Sequence, residues 1–170
     1  MRIPFAALAV MVAALLLPQA GVACAAQPTP AGLWEQVDSA GKADGWFLIS
    51  KRGDSYRATL VKLFVKPGAN PDPLCTKCPV DQKNLPWLGL TIIRGMHRQG
   101  SDYDSGIVLD PRSGSQYFAR IRLSPDGQSL TVRGYLGIDP LGGSETWRRL
   151  PDADLSGVDP RVAGAVASPP

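Results

Sequence analysis

From residue 103 to residue 150 the chain repeats one device, a short run that alternates apolar and polar side chains followed by a turn of Pro, Asp, Ser and Gly. Residues 103–110 close at Pro111-Arg112-Ser113-Gly114, and residues 115–123 close at Ser124-Pro125-Asp126-Gly127. Residues 128–136 lead to Asp139-Pro140-Leu141-Gly142-Gly143, after which residues 144–150 follow. Alternation with a period of two marks a strand with one buried face, and loops this short join antiparallel neighbours. The second half of the chain is therefore a ladder of hairpins. The same alternation assigns faces. Tyr117, Ala119, Ile121 and Leu123 share the inner side with Leu130, Val132, Gly134 and Leu136, while Phe118, Arg120 and Arg122 point out.

Upstream the same signs recur at wider spacing. Residues 32–37, 45–50 and 55–64 read as strands, the last two joined by Lys51-Arg52-Gly53-Asp54, and the apolar run 87–94 reads as the next. Between them residues 66–86 hold Pro67, Pro71, Pro73, Pro79 and Pro86. Proline lacks the N–H that a paired strand needs, so this segment is a long proline-rich loop. Helix is a minor component: of the 15 acidic residues only Glu35 and Glu145 are glutamate, and aspartate favours turns where glutamate favours helices. Eight strands, joined mostly by hairpins and apolar on one face, predict an all-β fold. The expected architecture is an eight-stranded antiparallel up-and-down barrel over residues 31–150, because closure leaves no exposed edge.

The two ends of the chain differ from this core. Met1-Arg2, the apolar run from Ile3 to Leu17 and the small residues Ala20, Gly21, Ala23, Ala25 and Ala26 make a secretory signal peptide over residues 1–26. Its apolar run is shorter than the roughly 20 residues a membrane span needs. Gly21-Val22-Ala23-Cys24 resembles a lipobox that lacks its usual Leu. Plain cleavage is the expectation, and lipidation of Cys24, with a membrane anchor, is the alternative. Either route leads to the periplasm or the exterior, where disulfides persist. Residues 151–170 are rich in Pro, Ala, Gly and Asp with little to bury, and read as a disordered tail. The 18 basic residues, Arg2 of the signal included, nearly balance the acidic ones, which does not suggest a nucleic-acid partner.

Few residues have catalytic or ligating chemistry. In an oxidising compartment Cys75 and Cys78 most simply form a local disulfide that staples the long loop. A redox site would need the first cysteine at a helix N-terminus, and Pro73 and Pro79 bracket the pair with no helix behind it. A zinc site would need three or four ligands, and His97 is the one histidine available. No metal or cofactor is expected. His97 sits at a strand end beside Arg94 and Arg98, where a solvated role outweighs a triad. Glu35 and Glu145 fall on the first and last strands, neighbours in a closed barrel, but lone strand glutamates usually face solvent. No catalytic constellation is predicted.

Gly32-Leu33-Trp34, the run from Pro86 to Ile92, the hairpin from Gly106 to Tyr117, the run from Arg133 to Gly137 and Thr146-Trp147-Arg148-Arg149 resemble the bacterial family called domain of unknown function 2147. The resemblance covers about residues 31–150. It implies an exported domain with a lipocalin-like barrel, and lipocalins close their barrels with a Gly-x-Trp start and an arginine near the end of the last strand. The implied closing pair is Trp34 and Arg149. Many relatives lack cysteines in the long loop, so the resemblance implies no role for Cys75 and Cys78.

A barrel of eight strands is wide enough either to fill with side chains or to hold one small ligand. The first functional expectation is a non-catalytic binding protein for a small apolar ligand, held by Trp46, Leu48, Tyr56, Tyr117, Ala119, Ile121, Val132 and Gly134. Ala119 and Gly134 leave the space in that set. The alternatives are a cell-envelope interaction or inhibitor protein that works through the long loop on a filled barrel, and a thiol redox protein using Cys75 and Cys78.

Overall fold

The computed structural model describes residues 28–38, 40–137 and 142–167. The signal peptide, Cys24 and the last residues of the tail lie outside the described residues. Eight strands follow in order: β1 (Gly32–Val37), β2 (Ala43–Arg52), β3 (Ser55–Leu63), β4 (Thr91–Gln99), β5 (Asp102–Leu109), β6 (Gln116–Leu123), β7 (Ser129–Tyr135) and β8 (Gly142–Arg149). Each pairs antiparallel with the next, and β8 returns to β1 with Trp34 opposite Arg149 and Gln36 opposite Trp147, so the sheet closes into a barrel.

The long loop extends further than its prolines suggest. Trp87, Leu88 and Gly89 form a turn, in which Leu90 N–H donates to the Trp87 carbonyl at 3.0 Å, and β4 begins only at Thr91. Gly89 takes φ +87°, which L side chains rarely adopt, so the apolar run from residue 87 cannot be one extended strand. Leu136, expected inside, lies past the end of β7 and is 58% exposed, because the alternation outlasts the pairing that gives it meaning.

The closed end of the barrel, where β1 starts and β8 ends, is packed solid. Ile49, Tyr56, Met96, Tyr103, Ile121 and Leu130 are all buried there, and the rings of Tyr56 and Tyr103 meet edge-on at 5.2 Å. Trp34 is fully buried, donates its indole N–H to the Pro30 carbonyl at 2.8 Å, and lies under the Arg149 guanidinium at 4.2 Å.

A second apolar cluster sits outside the barrel wall. Residues 151–170 read as a disordered tail, but Asp152–Gly157 form a 3₁₀ helix and Pro160–Ala167 an α-helix, α1. Val158 and Val162, four residues apart, meet the outward Leu33 and Val61, with Trp46, Leu48, Leu88 and Leu150 around them. Val158, extended between the two helices, and Val162 on α1 suffice because the barrel offers them an apolar outer face, which the composition of the tail alone does not reveal.

Candidate functional site

The opposite end of the barrel is hollow. Inward positions there are occupied by Gly45 of β2, Gly134 of β7 and Gly143 of β8, the last two directly paired across the ladder. They line a cavity of about 500 Å³; a Cβ at Gly45 or Gly134 would press on Leu60 or Val108, which pack close against these glycines, whereas at Gly143 it would meet open space. Phe47, Leu60, Ile92, Val108 and Val132 make its walls, and Trp147 stacks on Phe47 at 4.5 Å between ring centres.

The long loop and the β5–β6 turn roof this cavity with Trp87, Pro111 and Arg112. Cys75 and Cys78 are disulfide-bonded and buried, and the tight turn they close organises the loop. Cys75 N–H donates to the Leu85 carbonyl at 2.9 Å, and Asn84 N–H donates to the Cys75 carbonyl at 3.0 Å. Leu74 bridges Pro86, and Trp87 N–H donates to the Pro73 carbonyl at 2.9 Å. These bonds fix where the indole enters the roof. Cys75 Sγ also rests 3.4 Å from the Pro111 carbonyl oxygen, so the stapled turn leans on the β5–β6 turn. From outside, Arg161 of α1 bonds Asp72 of the loop.

The polar groups gather at the rim. Gln36 Nε2 donates to Glu145 Oε2 at 2.6 Å, and the Trp147 indole N–H points at the same oxygen from 3.5 Å. Arg112 pairs with Asp44 at 3.0 Å and lies 5.6 Å from the centre of the Trp87 ring. Both oxygens of Asp110 are engaged within its own turn, by Arg112 N–H and by the Ser113 hydroxyl. Trp87 and Tyr117 both line the cavity, and the buried Trp87 indole N–H has no acceptor among the described residues.

Residues 32–149 match the family described as "uncharacterized protein conserved in bacteria", DUF2147. The chain belongs to that family. Among solved structures this DUF2147 barrel is similar to one described as protein HP1028 from the human pathogen Helicobacter pylori, which belongs to the lipocalin family. The TM-score is 0.64 at 13% identity, over 83% of this chain and 99% of that one, and such a likeness shows a shared lipocalin-like fold. No curated protein matches the sequence.

Within the DUF2147 barrel the residues expected to bind a ligand divide three ways. Tyr117, Val132 and Gly134 line the cavity. Tyr56, Ala119 and Ile121 also point inward but belong to the packed core, one layer nearer the closed end. Trp46 and Leu48 are a correction: they face outward, against the C-terminal segment, while Gly45, Phe47 and Ile49 of β2 face in. Both faces of β2 are apolar because both are covered, so alternation could not choose between them. Sequence reasoning missed Gly45, Gly143, Phe47, Trp87 and Trp147. The signal available for the first two was glycine inside a strand, which marks a place where something must come close.

The other chemistry-bearing residues do not converge. Glu35 accepts from Trp46 Nε1 at 3.2 Å and pairs with Arg148 on the outer face, whereas Glu145 turns inward, so the barrel wall separates the two carboxylates. His97 lies 3.5 Å from Asp54 at the β2–β3 end of the barrel, opposite the end that holds the disulfide. Among the described residues no three His, Cys, Asp or Glu side chains form a group that could hold a metal ion.

Proposed function

We propose that this barrel is a non-catalytic binding protein, exported to the periplasm or beyond, that holds one small, largely apolar molecule in its open half. The observation behind the reading is the cavity itself, about 500 Å³ lined by Phe47, Trp87, Tyr117 and Trp147 and open above Gly143. Ligand sites of this kind run from about 300 to 1,000 Å³ and combine apolar walls with a few orienting polar groups. The Tyr117 hydroxyl and the Trp87 N–H supply such groups, and a buried donor left unpaired costs on the order of 1–3 kcal/mol until an acceptor reaches it. The signal peptide expected over residues 1–26 would deliver the chain to an oxidising compartment, where a disulfide such as Cys75–Cys78 persists.

The test is indole fluorescence during titration with fatty alcohols and other apolar probes, in the wild type and in Gly143→Leu. A side chain at Gly134 would crowd Val108, whose Cγ1 would lie 3.1 Å from the new Cβ. At Gly143 no described atom lies within 4 Å of the new Cβ, so leucine there fills the cavity without strain. Saturable binding by the wild type, weakened at least about tenfold in Gly143→Leu, supports the reading, since displacing a few methylenes is worth about 1.4 kcal/mol or more. Absence of a saturable signal, or equal binding by the filled variant, refutes it. Function would then lie with the long loop, where Val80 is 93% exposed.

A further inference from the structure

We infer that the polar end of the ligand is cationic, an amine rather than a carboxylate or phosphate, and that Glu145 receives it. The inference rests on the cavity reading above and adds the charge of what the cavity selects. Three carboxylates line the described rim, those of Asp44, Asp110 and Glu145, against one cation, Arg112. Arg112 is already bound to Asp44, and Asp110 is spent on its turn. Glu145 alone combines an inward aim with an oxygen to spare: Oε2 accepts from Gln36 and faces the Trp147 indole N–H, while no described residue donates to Oε1.

The surroundings of Glu145 favour a cation. Gln36 holds one of its oxygens at 2.6 Å, which fixes the exposed carboxylate at the mouth of the cavity. A fatty-acid carboxylate in the same place would meet Glu145 with no unpaired arginine or lysine among the lining residues to answer it. At this exposed rim water screens part of the repulsion between like charges, and the remainder disfavours a carboxylate beside Glu145.

The probes that read this are decylamine, decanol and decanoate, which share a ten-carbon chain and differ in the charge of the end group. They are titrated at pH 7 below micelle formation, with indole fluorescence as the signal. In the wild type decylamine should bind about tenfold tighter than decanoate or more, the rim's attraction and repulsion adding in the comparison. Glu145→Gln keeps the size and the Gln36 contact. It should weaken decylamine, strengthen decanoate and leave decanol unchanged. Equal affinity for all three, or tightest binding of decanoate, overturns the assignment of charge while leaving the cavity reading intact. If decanol, decylamine and decanoate all fail to bind, the cavity reading falls and this inference falls with it.

Discussion

Arg149→Ala should destabilise the barrel more than any other single change to a partly exposed residue. The guanidinium donates through Nε to the Gly127 carbonyl at 2.5 Å, through Nη1 to Ala31 at 2.8 Å and through Nη2 to Thr29 at 2.7 Å, with its plane over Trp34. It thereby ties the β6–β7 turn, the segment before β1 and the end of β8 to one indole. Hydrogen bonds from a charged donor contribute about 1.5–3 kcal/mol each when shielded. The bond to Thr29 is exposed to water, so two bonds at the lower value are counted. Stacking on the indole adds about 1 kcal/mol, for a loss of roughly 4 kcal/mol. For a domain of this size that corresponds to a fall in Tm of roughly 10–15 °C.

Thermal denaturation followed by circular dichroism measures the loss. Arg149→Lys should recover less than half of it, because a single ammonium cannot reach three carbonyls in different directions. Gly32 provides an independent check. It takes φ +129°, and a Cβ there would stand 2.7 Å from Arg149 Nη1, so Gly32→Ala should displace the guanidinium as well as strain the backbone. In the Arg149→Ala background the displacement no longer matters, and the two losses should sum to more than the double mutant shows. A drop in Tm of less than about 3 °C for Arg149→Ala, or strict additivity with Gly32→Ala, would refute the account of closure.

Two further outcomes follow from local contacts. Arg122 holds the Asp102 carboxyl below its ordinary value of 3.8. For Asp104, burial alone would raise the pKa, but the Ser105 N–H and Arg120 outweigh it and the net direction is down. A depressed folded pKa contributes stability that is full above the unfolded value and is lost as pH falls through the folded one. The wild-type Tm should therefore drop between about pH 4 and pH 2, and the Asp102→Asn, Asp104→Asn double variant should start lower at pH 7 but lose less across that window; parallel curves would contradict it. Cys75→Ala with Cys78→Ala should leave the far-ultraviolet spectrum unchanged and cost at most roughly 2 kcal/mol, since the closed loop is so short; an unfolded double variant would show that the disulfide sustains more than its own turn.

Most of the barrel was legible because hairpins are local: turn residues at short intervals fix pairing, and period two fixes faces where one face is wet. On β6 both conditions hold, and Ala119 and Ile121 lie inside with Phe118 outside as the alternation demands. They fail on β2, where Trp46 and Leu48 are apolar because α1 and the 3₁₀ segment cover them, a contact between residues more than a hundred positions apart. The start of β4 failed for a different reason. Trp87 and Leu88 look like strand residues by type, yet one becomes a roof and the other joins the outer cluster, and only the left-handed Gly89 separates them from the strand. The closing pair, Trp34 with Arg149, followed from the family resemblance together with closure of the barrel, which makes the first and last strands neighbours.

The misread tail and the misplaced cavity residues have one physical cause. A barrel that leaves its open half hollow gives up the burial that side chains filling that half, such as a large one at Gly143, would have supplied. That burial has to be made good elsewhere. The packed layer around Tyr56 and Tyr103 supplies part of it at the closed end. The rest comes from outside the wall, where Leu33, Val61, Val158 and Val162 are almost fully buried, each contributing about 1.5–3 kcal/mol before the cost of ordering the segment. The same segment also steadies the roof, because Arg161 bonds Asp72 of the long loop and Val162 packs where Gly89 ends its turn. Holding the roof from the disulfide turn, from the β5–β6 turn and from α1 keeps Trp87 in place over an empty space. A strand position left without a side chain, Gly143, and a segment whose composition reads as loose, the tail, are thus two parts of one arrangement. It keeps an apolar cavity open without letting the barrel collapse into it.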